Sequence, residues 1–344
     1  MQAAGSTAEP GERTRAAAQA SPGTTETLDA AKPIGGFFEL ELPQHPYLHQ
    51  DALLFNNGRA CMEWVLRARG TRHVHVPYYT CDVVIEPLRK LSIPYSFYRV
   101  DEQLDPATSI DPSEDELLIV NNYFGLKDAS CRALAARHGE RLMVDCSQAW
   151  FAEPAPGAHS FYTPRKFFGV ADGGCLHTPA RLDITLEVDS SHHRASHLFK
   201  RIDLGPEAAY PDFQRNDAGL SGQEMRWMSP LTRRMLAAAD HGGARRRRLD
   251  NFALLDAALG ARNRFRWSHD EVACPMVYPF WTDRPDLRAR LIENRVFVAT
   301  YWPNVREWCA PGTLEHRLAD EILPLPIDQR YDAADMERIV RILA

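Results

Sequence analysis

Apolar positions along this chain switch repeatedly between a helical and a strand period. Ala60 to Arg69 carries Met62, Val65 and Leu66 at helical spacing, and Gly70 follows as a stop signal. His73 to Val76 is short and strand-like, ended by Pro77. Val83 to Leu91 predicts a helix, and Tyr95 to Val100 alternates as a strand does. Leu117 to Val120 is a continuous apolar run that predicts a buried strand. Ser130 to His138 predicts a helix, Leu142 to Val144 another buried strand, and Phe161 and Tyr162 belong to a further one. Strands alternating with helices imply an α/β architecture: a mostly parallel sheet sandwiched by helices.

The second half has a different pattern. Asp183 to Ser229 is mixed and weakly periodic, while Leu231 to Leu259 predicts one or two long helices containing Arg245 to Arg248. Val272 to Phe280 and Val296 to Thr300 look like strands, and Asp332 to Leu343 is an amphipathic closing helix with Met336, Ile339, Val340 and Leu343 on one stripe. The expected organisation is a tail over 1–33, a large domain over 34–235 and a small C-terminal α+β domain over 236–344. The tail is rich in Ala, Gly, Ser, Thr, Pro and charge, has no apolar segment of a secretory signal, and reads as disordered.

Composition narrows the partners. A net charge of −6 over 344 residues argues against a broad nucleic-acid surface. No run approaches the ~18 apolar residues of a membrane span. Seven cysteines without a C-x-x-C pair fit a reducing cytoplasm. His192, His193 and His197 are spaced as metal ligands on a helix can be, but no acidic ligand accompanies them, and no metal is expected. The four-arginine run is either a solvated helix face or a surface for a phosphate or a partner chain.

Positive charge is carried by 35 arginines and only five lysines, which singles out Lys166 in the segment His159 to Gly174. A lysine can lose its proton and form an imine, and an arginine cannot. Asp145, 21 residues earlier, ends a predicted buried strand, the place where ligands bind in such sheets. It is either a cap or ion-pair partner, or the partner of a cationic ligand. Pyridoxal phosphate (PLP) needs both groups: a lysine for its aldehyde and an acid to keep its ring nitrogen protonated. Gly58 opens a helix whose N–H groups suit an anion, Ser160 could add a hydroxyl, and Tyr78 to Cys81 offers aromatic faces for a ring.

Together, several segments resemble the DegT/StrS sugar aminotransferase family, which are fold-type-I PLP enzymes. They are Gly58-Arg59-Ala60 opening a helix, Val76-Pro77 to Thr80 after a strand, Asp145-Cys146-Ser147-Gln148-Ala149, Ser160-Phe161 ahead of Lys166, and Asp172-Gly173-Gly174. The resemblance continues in Ala299 to Pro303 and Leu323 to Ile327, so it covers residues 36 to 344. It implies that Lys166 holds the cofactor as an imine and moves the substrate proton, and that Asp145 pairs with the pyridine nitrogen. It places Gln148 near the ring's phenolic oxygen, puts Arg59, Ala60 and Ser160 on the phosphate, and covers the ring face with a residue from Tyr79 to Cys81. It further implies homodimers with shared sites, glutamate as amino donor and a keto group on a nucleotide-linked sugar as acceptor.

The chain departs from that pattern in places. Ser160 stands six residues before the lysine, where the family usually has five. The asparagine that reaches across the subunit boundary is absent from Glu224 to Met228, leaving Arg226 to take its place, and Cys81 stands where an aromatic is usual. Two other readings therefore stay open: a PLP enzyme that does not transaminate, such as a dehydratase or an enzyme of amino-acid or natural-product chemistry, and a non-catalytic protein on the same fold.

Overall fold

The computed structural model describes residues 34–267 and 273–344. The tail expected over 1–33 and the start of the strand expected from Val272 lie outside them. Residues 34–39 carry no helix or strand and form a unit apart from the compact body of Leu40–Ala344.

A seven-stranded sheet organises that body. Its strands are β1 (Leu53–Phe55), β2 (His73–Pro77), β3 (Tyr95–Tyr98), β4 (Glu116–Asn121), β5 (Leu142–Asp145), β6 (His159–Tyr162) and β7 (Gly174–His177), in spatial order β1-β7-β6-β5-β4-β2-β3. Strands β2 to β6 run parallel, and β7 and β1 are antiparallel additions at one edge. The period of two sends alternate residues to opposite cores. Val74, Val76, Leu117, Ile119, Met143 and Phe161 meet helices α1 (Gly58–Arg69) and α2 (Ile85–Lys90) on one face. Leu118, Val120, Leu142, Val144 and Tyr162 pack on the other face with α3 (Asp128–His138). Burial on both faces explains why β4 and β5 read as apolar runs rather than alternating ones.

After the sheet come α4 (Ser196–Gly219), α5 (Pro230–Ala238) and α6 (His241–Leu259). The weakly periodic region thus contains a long helix, broken in phase where Gly205 adopts φ +84° before Pro206. The predicted helical stretch from Leu231 is two helices, and α5 runs across the boundary expected at 235. Strands β8 (Val277–Trp281) and β9 (Ile322–Pro326) pair antiparallel. Their core is Phe252, Leu255 and Leu259 of α6, Leu287 and Leu291 of α7 (Asp286–Glu293), and Met336, Ile339 and Leu343 of α10 (Ala333–Leu343). Short helices α8 (Val305–Trp308) and α9 (Leu314–Glu321) lie between. Residues 296–300 are not a strand. The structure pairs β8 instead with the Leu-Pro-Leu-Pro segment, whose two prolines left no strand signature. α10 begins with a reciprocal cap between Asp332 and Asp335.

The arginine run divides. Arg245, Arg246 and Arg247 are exposed, but Arg248 is buried, donating to the Met276 carbonyl at 2.8 Å with its guanidinium 4.6 Å from the Phe167 ring centroid.

Candidate active site

Parallel strands bring the segments after β2, β5 and β6 to one side of the sheet, beside the N-terminus of α1. A cavity of about 380 Å³ opens there. That is within the ordinary range for small-molecule sites. Lys166 lines it from a single helical turn, Pro164–Lys166, that follows β6. Its side chain is exposed and makes no hydrogen bond or ion pair among the described residues.

Asp145 lines the same cavity from the last position of β5. Burial raises its carboxyl pKa above the usual carboxylate value, while the Lys166 charge and the Ser147 N–H, donated to Oδ1 at 2.7 Å, pull it part of the way back. Cys81 lines the cavity after β2. Burial pushes its thiol up to about 11 against the opposing pull of Lys166. One ammonium therefore acts on both a carboxyl and a thiol, which ties three separated segments into one electrostatic unit.

The glycines shape the cradle. Asn57 caps α1 by accepting the Ala60 N–H at 2.9 Å. Gly173 holds φ +108° and donates its N–H to the Asn56 carbonyl at 2.8 Å. A Cβ on Gly174 would lie 2.4 Å from the Asn57 carbonyl oxygen. The Gly-Gly pair is thus what lets β7 run against the start of α1. Beside it, Asp172 is buried, held by Arg194 at 2.5 Å and by the Thr232 hydroxyl at 2.5 Å.

Several expected contacts fall elsewhere. Ala60 has already given its N–H to Asn57, so it is not free for a phosphate. Arg59 lines the cavity mouth, but its Nε donates to Glu86 at 2.5 Å and a terminal nitrogen reaches Ser221 at 3.3 Å. Tyr79 is buried outside the lining, stacked on Tyr123 at 5.5 Å and edge-on to Trp302 at 5.2 Å. Gln148 is also buried away from the lining, accepting the Phe124 N–H at 2.9 Å, with its Nε2 unpartnered. Arg226 binds Glu187 at 3.3 Å and Asp189 at 3.5 Å within its own chain, and lies outside the cavity. His192 and His193 are exposed and His197 is buried; they do not converge on one point.

Ser160 is the sharpest difference. It is fully buried, faces away from α1 and accepts the Ala155 N–H at 3.0 Å. The residue five before the lysine is Phe161, which together with Thr163 lines the cavity. A one-residue offset on a strand moves a side chain to the opposite face. Thr163 Oγ1 has no hydrogen-bond partner although it is shielded from solvent. Counting by twos from the buried strand would have placed Thr163 on the α1 side. Asn57, Asp172 and Tyr301 had weaker signals: a cap, an ion pair and an aromatic.

No protein-family model matches this chain, and no curated protein does. Solved structures do match. DesV of S. venezuelae, in complex with a ketimine intermediate, shares 18% identity over 85% of this chain and 83% of its own, with a TM-score of 0.57. A DegT DnrJ EryC1 StrS aminotransferase from Brucella abortus shares 16% over 85% and 84%, at 0.55. DesI in the presence of its TDP-sugar product shares 17% over 85% and 79%, at 0.56. The fold is that of the sugar aminotransferases. This agrees with the α/β, fold-type-I architecture that the motifs implied.

Proposed function

We propose that this chain is a PLP-dependent aminotransferase that moves an amino group, with glutamate as donor, to a keto group on a nucleotide-linked sugar. The observation that carries this reading is the meeting of Lys166 and Asp145 in one cavity at the carboxyl ends of β5 and β6. The residues fit the cofactor. Lys166 is unengaged among the described residues, Asp145 is a half-buried acid whose carboxyl pKa is raised by desolvation, and Thr163 offers an orphan hydroxyl beside the N-terminus of α1.

In this reading Lys166 would anchor the cofactor covalently and then carry the proton between substrate and cofactor carbons. Asp145 would hold a proton on the ring nitrogen. When bound, PLP would supply the electron sink for the electron pair left on the amino-bearing carbon as its proton is removed. The phosphate would be held by Thr163 Oγ1 and the N–H groups of Gly58 and Arg59, in place of Ser160 and Ala60. Cys81, Tyr301 and Trp302 line the same cavity and would enclose the ring. An adjoining groove of about 760 Å³, lined by Arg59, Arg89, Asn304 and Trp308, would take the rest of a large substrate. DesI, whose structure was determined in the presence of its TDP-sugar product, supports that substrate class by analogy of fold alone.

We assign the working form as a cytoplasmic homodimer. Ile202 (82% exposed), Leu204 and Tyr210 of α4 leave apolar surface that a second copy of this chain would cover. The deciding experiment adds PLP to the purified protein, records the visible absorbance, and then titrates glutamate. Loss of the band with formation of pyridoxamine phosphate supports the assignment. A stable band without response to glutamate favours the non-transaminating alternative, and no band removes the PLP reading.

A further inference from the structure

β2 begins His73-Val74-His75, so the two imidazoles share one face of the strand and Val74 takes the other. In the parallel pairing of β2 with β4, His73 lies opposite Glu116. Three side chains of metal-binding type therefore meet at the start of two adjacent strands. His73 Nδ1 lies 3.7 Å from Glu116 Oε1, and His75 Nε2 lies 3.3 Å from Oε2. All three ligand atoms fall within 4.8 Å of one another.

These separations suit a shared cation. Ligands at 2.0–2.1 Å in tetrahedral array stand about 3.3 Å apart. His73 Nδ1 is shielded from solvent and has no hydrogen-bond partner. The other ring nitrogen of His75, Nδ1, sits 3.3 Å from Ser96 Oγ on β3. A proton donated there leaves the Nε2 lone pair facing Glu116, the second-sphere arrangement that fixes a ligating histidine. The carboxylate is available: no Lys or Arg lies within ion-pair distance of it among the described residues, and its other contact is the Ser113 N–H at 2.9 Å. Side-chain exposures of 21–27% leave an opening for an ion and a water ligand.

We propose that His73, His75 and Glu116 bind a divalent transition-metal ion of the zinc class. Two imidazoles and one carboxylate suit zinc or cobalt better than the all-oxygen shells of calcium and magnesium. The site lies at the start of β2, whereas the cavity lies beyond its end, so the ion ties β2 to β4 and takes no part in the chemistry at Lys166.

The test uses the untagged full chain, stripped with a chelator, and titrates zinc by calorimetry and cobalt by visible absorbance. The expected result is one equivalent bound, an intense cobalt spectrum of tetrahedral type, and a higher melting temperature with zinc. His75→Gln and Glu116→Gln abolish the one-equivalent binding. Ser96→Ala, which leaves all three ligands in place, weakens it by about 10- to 100-fold. Circular dichroism confirms the fold of each variant; if the ligand variants fail to fold, the Ser96→Ala titration decides. No stoichiometric binding by the parent chain overturns the proposal, as does binding that all folded variants retain. In either case the trio is a proton-sharing pair of histidines on a carboxylate.

Discussion

A Cβ added to Gly58 would lie 2.8 Å from the Cγ2 of Thr163. The start of α1 thus meets the Thr163 side chain directly, with no room for a side chain at position 58, and the corner proposed for the phosphate is built on that contact. Gly58→Ala forces Thr163 or Phe161 to move. The expected outcome is a loss of about 1–3 kcal/mol in urea unfolding, as for other overpacked sites, together with weaker PLP binding by fluorescence titration. Unchanged PLP affinity would place the phosphate elsewhere.

Thr163 and Ser160 separate binding from stability. Thr163→Val keeps the shape and removes a hydroxyl that has no partner within the chain. Stability of the cofactor-free protein should stay level or rise, while PLP affinity falls about 10-fold or more, the worth of a hydrogen bond to a charged group. Ser160→Ala does the reverse. It strands the Ala155 N–H, costing about 1–3 kcal/mol, and leaves PLP affinity unchanged. Equal effects of the two variants on PLP binding would refute the assignment.

These residues also show what the chain's pattern could and could not reveal. The parallel core was legible because β4 and β5 bury both faces and so appear as apolar runs. That Asp145 and Lys166 would line one cavity was legible because strand ends are where such sheets form clefts. Ser160 falls on the face away from α1 because strand parity, not motif order, decides where a side chain points. Ala60, Tyr79 and Arg226 lie off the cavity lining for another reason: each is held by a partner remote in sequence or by a cap. Strand β9 escaped because its prolines mask a pairing that β8 creates.

Lys166 carries reactivity without carrying the fold. Its side chain is exposed and unpaired among the described residues, so Lys166→Ala and Lys166→Arg should unfold within about 0.5 kcal/mol of the parent. Both should lose turnover. Borohydride treatment of the parent with PLP should leave the cofactor attached to the peptide containing Lys166, and the variants should lose that label by mass spectrometry. Near-normal turnover in Lys166→Arg would sink the proposed function.

His49 should make the fold sensitive to mild acid. It is buried, stacked on Tyr162 with ring centroids 3.8 Å apart, and lies 2.7 Å from the Trp150 carbonyl and 3.0 Å from His177 Nε2. Nε2–H donates to the carbonyl, so Nδ1 is left to accept from His177, and the ring is neutral. Burial lowers its pKa from 6.5 to about 3, and the nearby His177 and His241 add to the effect. His159, lowered to about 4 chiefly by burial, acts in the same direction. A depressed folded-state pKa means that the unfolded chain binds the proton first. The stability these neutral rings contribute is complete above the unfolded value near 6.5 and is lost as pH falls toward the folded values. Each such ring loses at most about 1.4 kcal/mol per pH unit inside that window. Unfolding free energies from urea titrations should therefore fall between pH 6.5 and 5 by roughly 1–2 kcal/mol per buried ring. His49→Gln removes one proton-binding group and should flatten the profile while lowering stability at pH 7. A variant whose acid slope matches the parent's would show that other groups drive the transition.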